Sequence, residues 1–145
     1  MKILALAAAA AALVSLLGAV PAVAEPGAAG SAGASSSPPY VDHTEWVYWG
    51  RGSSLRVYPT PSGRVAARTT GATAASDEAW TEVVSRSLDA DTPGMHAQFA
   101  CHWQFAEFVQ PGKTSWNLEP WRPVVADAEM FASGCNPGGP EEPLS

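Results

Sequence analysis

Only two cysteines occur in this chain, Cys101 and Cys135, and both lie downstream of an N-terminus built for export. Met1-Lys2 gives a short positive start, residues 3–20 form an apolar run rich in Ala and Leu, and Ala22-Val23-Ala24 supplies the small residues that a signal peptidase requires. Residues 1–24 are therefore expected to be a signal peptide cleaved after Ala24. The alternative is an uncleaved anchor, because the run approaches spanning length, but Pro21 and the Ala-x-Ala pattern weigh against it. An exported chain matures in an oxidising compartment, so the two cysteines are expected to form one disulfide. Closing a loop of this length is worth about 3 to 4 kcal/mol in the chain-entropy model, a large share of the stability of a small domain. No cysteine follows the apolar run and no later stretch is apolar enough to span a bilayer, so the expected product is secreted to the extracellular or cell-envelope space.

Residues 25–39 contain Gly, Ala, Ser and Pro with one charge and no large apolar side chain, a composition expected to remain a flexible leader. Residues 40–137 are expected to form one domain, followed by a flexible tail at 138–145; all six Trp lie within that domain. Stretches 44–49 and 55–60 are rich in β-branched and aromatic residues and flank a Gly-Arg-Gly-Ser-Ser turn, which predicts a hairpin. Alternation in 64–69 predicts a third strand. Ser76, followed by Asp77 and Glu78, reads as a helix N-cap, with Trp80, Val83, Val84 and Leu88 at helical spacing.

Thr92-Pro93 opens a second helix that runs to Val109, where Gln110-Pro111-Gly112 stops it. Its helical angles place His96, Gln104 and Glu107 on one narrow polar face, with Cys101 inside the apolar arc. A third helix is expected over 124–132, with Gly134 closing it and delivering Cys135 to Cys101. Strands first and helices afterwards predict an α+β fold: a small antiparallel sheet of about three strands from the N-terminal half, packed by about three helices from the C-terminal half.

The run Thr92-Pro93-Gly94-Met95, Gln98-Phe99, Cys101-His102, Phe105-Ala106, then Trp116-Asn117-Leu118-Glu119-Pro120 with Arg122, and finally Cys135-Asn136-Pro137, carries a resemblance. With Pro59-Thr60 and Gly63-Arg64 upstream, it resembles a family of small exported bacterial proteins, mainly actinobacterial, known only as a domain of unknown function. The resemblance implies a place among exported proteins and carries over no activity and no catalytic residue.

His102 falls inside the apolar arc of its helix with Gln98 one turn earlier, so an ionisable ring is expected in the interior. One reading is a core histidine satisfied by Gln98 or by backbone; the other is a general base. Glu119 and Arg122 sit in a Pro-punctuated stretch and are expected either to pair with each other or to converge with His102. Carboxylate, guanidinium and imidazole together suit phosphodiester cleavage, which makes a small secreted nuclease-like hydrolase the alternative function. No nucleophile-elbow, zincin, P-loop or calcium-loop motif is present, and no metal site or cofactor is expected.

Four Arg and no acid lie between Trp46 and Ser76, whereas eleven acids face three bases from Asp77 onward. Removal of residues 1–24 leaves seven bases against fourteen acids, a net charge of −7, which disfavours nucleic acid as a partner. Arg56 and Tyr58 alternate with Leu55 and Val57, so a basic, aromatic sheet face built from Trp49, Arg56, Tyr58, Arg64 and Arg68 is the expected ligand surface. The first reading is thus a monomeric, non-enzymatic binding module outside the cytosol, with cell-wall glycan or an anion as its ligand.

Overall fold

The computed structural model describes residues 36–50 and 52–139, so the expected signal peptide, most of the leader and residues 140–145 of the tail lie outside the described residues. Strands β1 (Val41–Trp49) and β2 (Gly52–Pro59) form the expected antiparallel hairpin, with a register shift between Val41 and His43 that leaves Asp42 as an extra residue. The third strand is not 64–69. It is β3 (Trp116–Leu118), from the C-terminal half, which pairs antiparallel with β2 and makes β2 the central strand of an α+β fold.

The stretch expected as that strand forms helix α1 (Pro61–Ala67). Thr60 has extended dihedrals, its Oγ1 accepts from the amide of Gly63 at 2.9 Å, and Pro61 takes the first turn, where a missing N–H costs nothing. Gly63, Ala66 and Ala67 are buried, a helical spacing that the alternation of 64–69 concealed. Gly63 is required here, because a Cβ would stand 2.2 Å from the carbonyl oxygen of Tyr40.

Helix α2 (Thr73–Arg86) begins three residues before the expected cap at Ser76 and buries Ala79, Trp80 and Val83. Its Glu82 carboxylate accepts from the amides of Tyr40 and Val41, fixing the entry to β1. After a short 3-10 turn (Leu88–Ala90), helix α3 (Pro93–Val109) starts where expected: Thr92 Oγ1 accepts from the Met95 amide at 3.3 Å. Helix α4 (Asp127–Ala132) is shorter than the expected 124–132, and two successive left-handed residues, Gly134 and Cys135, turn the chain back at its end.

The inner sheet face contributes Leu55, Val57, Trp116 and Leu118 to the core, and α3 lays Phe99 and Trp103 against them. Phe99, Trp103 and Trp116 meet pairwise with ring centroids about 6 Å apart, the tilted and edge-on geometry that aromatic quadrupoles favour. A second small cluster of Cys101, Met130 and Cys135 lies between α3 and α4, and the Cys101–Cys135 disulfide fastens it with a Cα–Cα distance of 5.6 Å. Hydrogen bonds also tie residues flanking 40–137 to the fold. Ser36, Ser37 and Pro39 carbonyls accept from the hydroxyls of Tyr40, Ser62 and Thr60, and the Gly139 carbonyl accepts from Arg122. Among the described residues no helix is long and apolar enough to cross a membrane.

Candidate functional site

His102 and Gln98 stand one turn apart on α3 and face the free edge of β3. Alternation along β3 points the backbone of Asn117 and Glu119 away from β2, toward α3. The Gln98 side chain answers Glu119 as a neighbouring strand would: its Oε1 accepts from the Glu119 amide at 2.9 Å and its Nε2 donates to the Glu119 carbonyl at 3.0 Å. His102 Nε2 lies 3.1 Å from the Asn117 carbonyl oxygen, and because a carbonyl can only accept, Nε2 carries the proton. Two side chains thus substitute for a fourth strand and satisfy an edge that would otherwise be buried unpaired.

The ring is 4 % exposed, and burial pushes its pKa down from 6.5 to about 4. The positive charges of Lys113 and Arg122 act in the same direction, and the Asn117 bond opposes them.

Glu119, fully buried just beyond β3, accepts from Ser54 Oγ at 2.9 Å on one oxygen and from Arg122 Nε at 2.5 Å on the other. Arg122 is committed through two of its three nitrogens. Its Nη1 donates to the carbonyls of Pro137 and Gly139, and its guanidinium lies 4.6 Å from the ring centroid of Trp121. The structure therefore brings Glu119 and Arg122 together as a buried ion pair and sends the His102 bond to backbone. Glu119 spends both carboxylate oxygens on the fold, His102 one ring nitrogen and Arg122 its Nε and Nη1, while the buried Arg122 Nη2 has no hydrogen-bond partner among the described residues.

The expected sheet-face set divides. Trp49, Arg56 and Tyr58 share the outer face of the hairpin, where Tyr58 stacks on His43 at 4.0 Å and donates to Glu45, the residue paired with Arg56. Arg64 and Arg68 are elsewhere, because Arg64 lies on α1 and Arg68 caps its C-terminus. Both bind the buried carboxylate of Glu107 on α3, and Arg64 also donates to the Lys113 carbonyl at 2.7 Å. Glu107 is consequently a core residue and not part of a wet helix face, since α1 lies over it.

What remains open on α3 is the stripe His96, Ala100, Gln104 and Phe108, four residues apart each time. The turn leaving α1 and the first turn of α2 stand across from it, enclosing a groove of about 550 Å³, within the range of small-ligand sites. Gly71, with φ of +78°, lets that turn reverse the chain. Thr69, Thr73, Asp77, His96 and Gln104 supply polar groups along the groove, and Phe105 and Phe108 supply aromatic surface, with Phe108 61 % exposed. Sequence reasoning placed His96 and Gln104 on a polar helix face and stopped there; the opposing wall comes from 67–77, which periodicity on α3 does not reveal. Among the described residues no group of three or more His, Cys, Asp and Glu is gathered to hold a metal ion.

Residues 41–138 match a family described as protein of unknown function (DUF2599). The uncharacterized protein Rv0477 of Mycobacterium tuberculosis (strain ATCC 25618 / H37Rv) is 67% identical over 107 residues, which cover 74% of this chain and 72% of that protein. The uncharacterized protein ML2452 of Mycobacterium leprae (strain TN) is 59% identical over 100 residues, covering 69% of this chain and 80% of its own. No solved structure matches the chain. The family match covers the described sheet, the four helices and the disulfide, and with relatives at this identity the chain belongs to the family of proteins of unknown function DUF2599.

Proposed function

We propose that the protein is a disulfide-stapled, non-enzymatic binding domain acting outside the cytosol, and that it takes a neutral saccharide such as a cell-wall glycan in the groove between α3 and residues 67–77. The groove lining carries this reading: an amide, a carboxylate, an imidazole and several hydroxyls stand beside exposed aromatic surface, with no Lys or Arg among the lining residues. Sugar hydroxyls pair with planar amide and carboxylate groups, and the apolar faces of pyranose rings pack on aromatic side chains. An anion would meet Asp77 without a free cation to offset it. Export is supported by the sequence of residues 1–24 and by the disulfide, which persists in an oxidising compartment. The hydrolase alternative has less support, because His102, Glu119 and Arg122 are buried and hydrogen-bonded within the core.

Binding to neutral N-acetylglucosamine oligosaccharides, measured by titration calorimetry, tests the reading. Gln104→Ala and Phe108→Ala are expected each to weaken binding about tenfold, the equivalent of 1.4 kcal/mol, with little change in melting temperature. Arg56→Glu is expected to leave it intact. Absence of binding, or binding indifferent to both groove variants and sensitive to Arg56→Glu, would overturn the assignment.

A further inference from the structure

The two edges of the sheet are treated unequally. The β3 edge is closed by Gln98 and His102, and the start of β1 is closed by Glu82. Thr44 Oγ1 bonds Ser87 Oγ at the end of α2, and among the described residues nothing equivalent covers the backbone of β1 from Glu45 to Trp49. Strand β2 turns Leu55 and Val57 toward β3, so alternation turns Arg56 and Ser54 toward β1; on β1 the backbone groups of Thr44, Trp46 and Tyr48 then face outward. Among the described residues none of these outward groups has a hydrogen-bond partner. Natural proteins blunt such an edge with charges, Pro, bulges or brevity; β1 has nine residues and no Pro, and its bulge and carboxylates lie at Asp42 and Glu45, ahead of Trp46–Trp49.

The side chains flanking this edge have a definite chemistry. Trp46 and Tyr48 stack on one face with centroids 6.1 Å apart, and Tyr48 is 73 % exposed. On the other face Glu45 is exposed, and beside it Asp42 marks the bulge; β1 carries both carboxylates and no Lys or Arg. Neither carboxylate has a Lys or Arg ion-pair partner among the described residues. Arg56 of β2 stands opposite Glu45 and His43 bonds Asp42, but a second copy of this chain would bring two more carboxylates and no Lys or Arg on its own edge strand, so like charges oppose self-pairing.

We infer that the outer edge of β1 is a strand-addition site for an extended, basic segment of another protein, which joins the sheet as a fourth strand with a Lys or Arg opposite Glu45 and apolar residues on either side packing over Trp46 and Tyr48. Backbone pairing supplies the affinity and the alternating side chains supply the selection. The bulge at Asp42 and the Glu82 closure end the pairing at the start of the strand. The site lies apart from the groove and does not depend on the saccharide reading.

The probe is a synthetic octapeptide alternating Lys and Val, compared with its Glu-Val counterpart and with a Lys-Pro peptide of equal charge, whose Pro residues remove the N–H groups that face β1 when Lys stands opposite Glu45. Amide spectra of the isotope-labelled protein report the result. The Lys-Val peptide is expected to shift the Thr44, Trp46 and Tyr48 amides and slow their hydrogen exchange at least tenfold, and the other two peptides are expected to do neither. Glu45→Lys, an exposed change, is expected to exchange the preferences of the two alternating peptides. Equal shifts with the Lys-Pro peptide would reduce the effect to charge alone, and protection of these amides without peptide, growing with protein concentration, would assign the edge to a second copy. Either outcome, or no response at β1, overturns the proposal.

Discussion

His102 shows why residue type is a poor guide to role. An imidazole beside a carboxylate and a guanidinium looks like acid–base machinery, yet this ring closes a strand edge. The sequence made its interior position legible through the helical angle, and Gln98 through the one-turn spacing. Their partners, 15 and 21 residues downstream, are set by how α3 lies along β3, which no local pattern encodes.

The ring titrates near pH 4 in the fold against 6.5 when free, so the folded pKa is depressed. Its full contribution to stability is present above pH 6.5 and is lost as the pH falls toward 4, because the unfolded chain takes up the proton first. The loss across that window is on the order of 3 kcal/mol. Denaturant unfolding at pH 7 and pH 4 should show it. His102→Gln, which keeps an N–H donor without a titrating ring, should lose markedly less over the same interval; an identical loss in the variant would place the acid sensitivity elsewhere.

At the level of elements, Thr-Pro proved a stronger signal than alternation. The pair Thr92-Pro93 announces α3, and the same pair at Thr60-Pro61 announces α1, but two more turn-forming residues nearby and a seven-residue length made α1 read as a strand. Strand β3 was hidden for the opposite reason: three residues, all buried, show no alternation. Misplacing α1 also misplaced Arg64 and Arg68, which face Glu107 because helical spacing puts residues four apart on one side. The two are not equivalent. Arg64, 20 % exposed, bonds both Glu107 and the Lys113 carbonyl, whereas Arg68 is about half exposed and makes one bond. Arg64→Ala should cost about 1 to 3 kcal/mol and Arg68→Ala less than about 1 kcal/mol in equilibrium unfolding. Reversed magnitudes would show that α1 is not held through Arg64.

For the whole molecule, the α+β class and the disulfide followed from composition, order of elements and cysteine context. The groove did not, since it needs α1, the turn at Gly71 and α3 placed together. The bridge closes a loop between residues 34 apart, so Cys101→Ser with Cys135→Ser should lower unfolding free energy by about 3 to 4 kcal/mol. A double variant as stable as the oxidised parent would remove the staple from the account. The proposed division of labour is that interior polar groups maintain the fold while the α3 groove meets the ligand. A chemical-shift map with neutral N-acetylglucosamine oligosaccharides tests this most directly. Changes should centre on residues 69–77, His96, Gln104 and Phe108 while the His102 ring resonances stay fixed; changes centred on His102, Glu119 and Arg122 would contradict it.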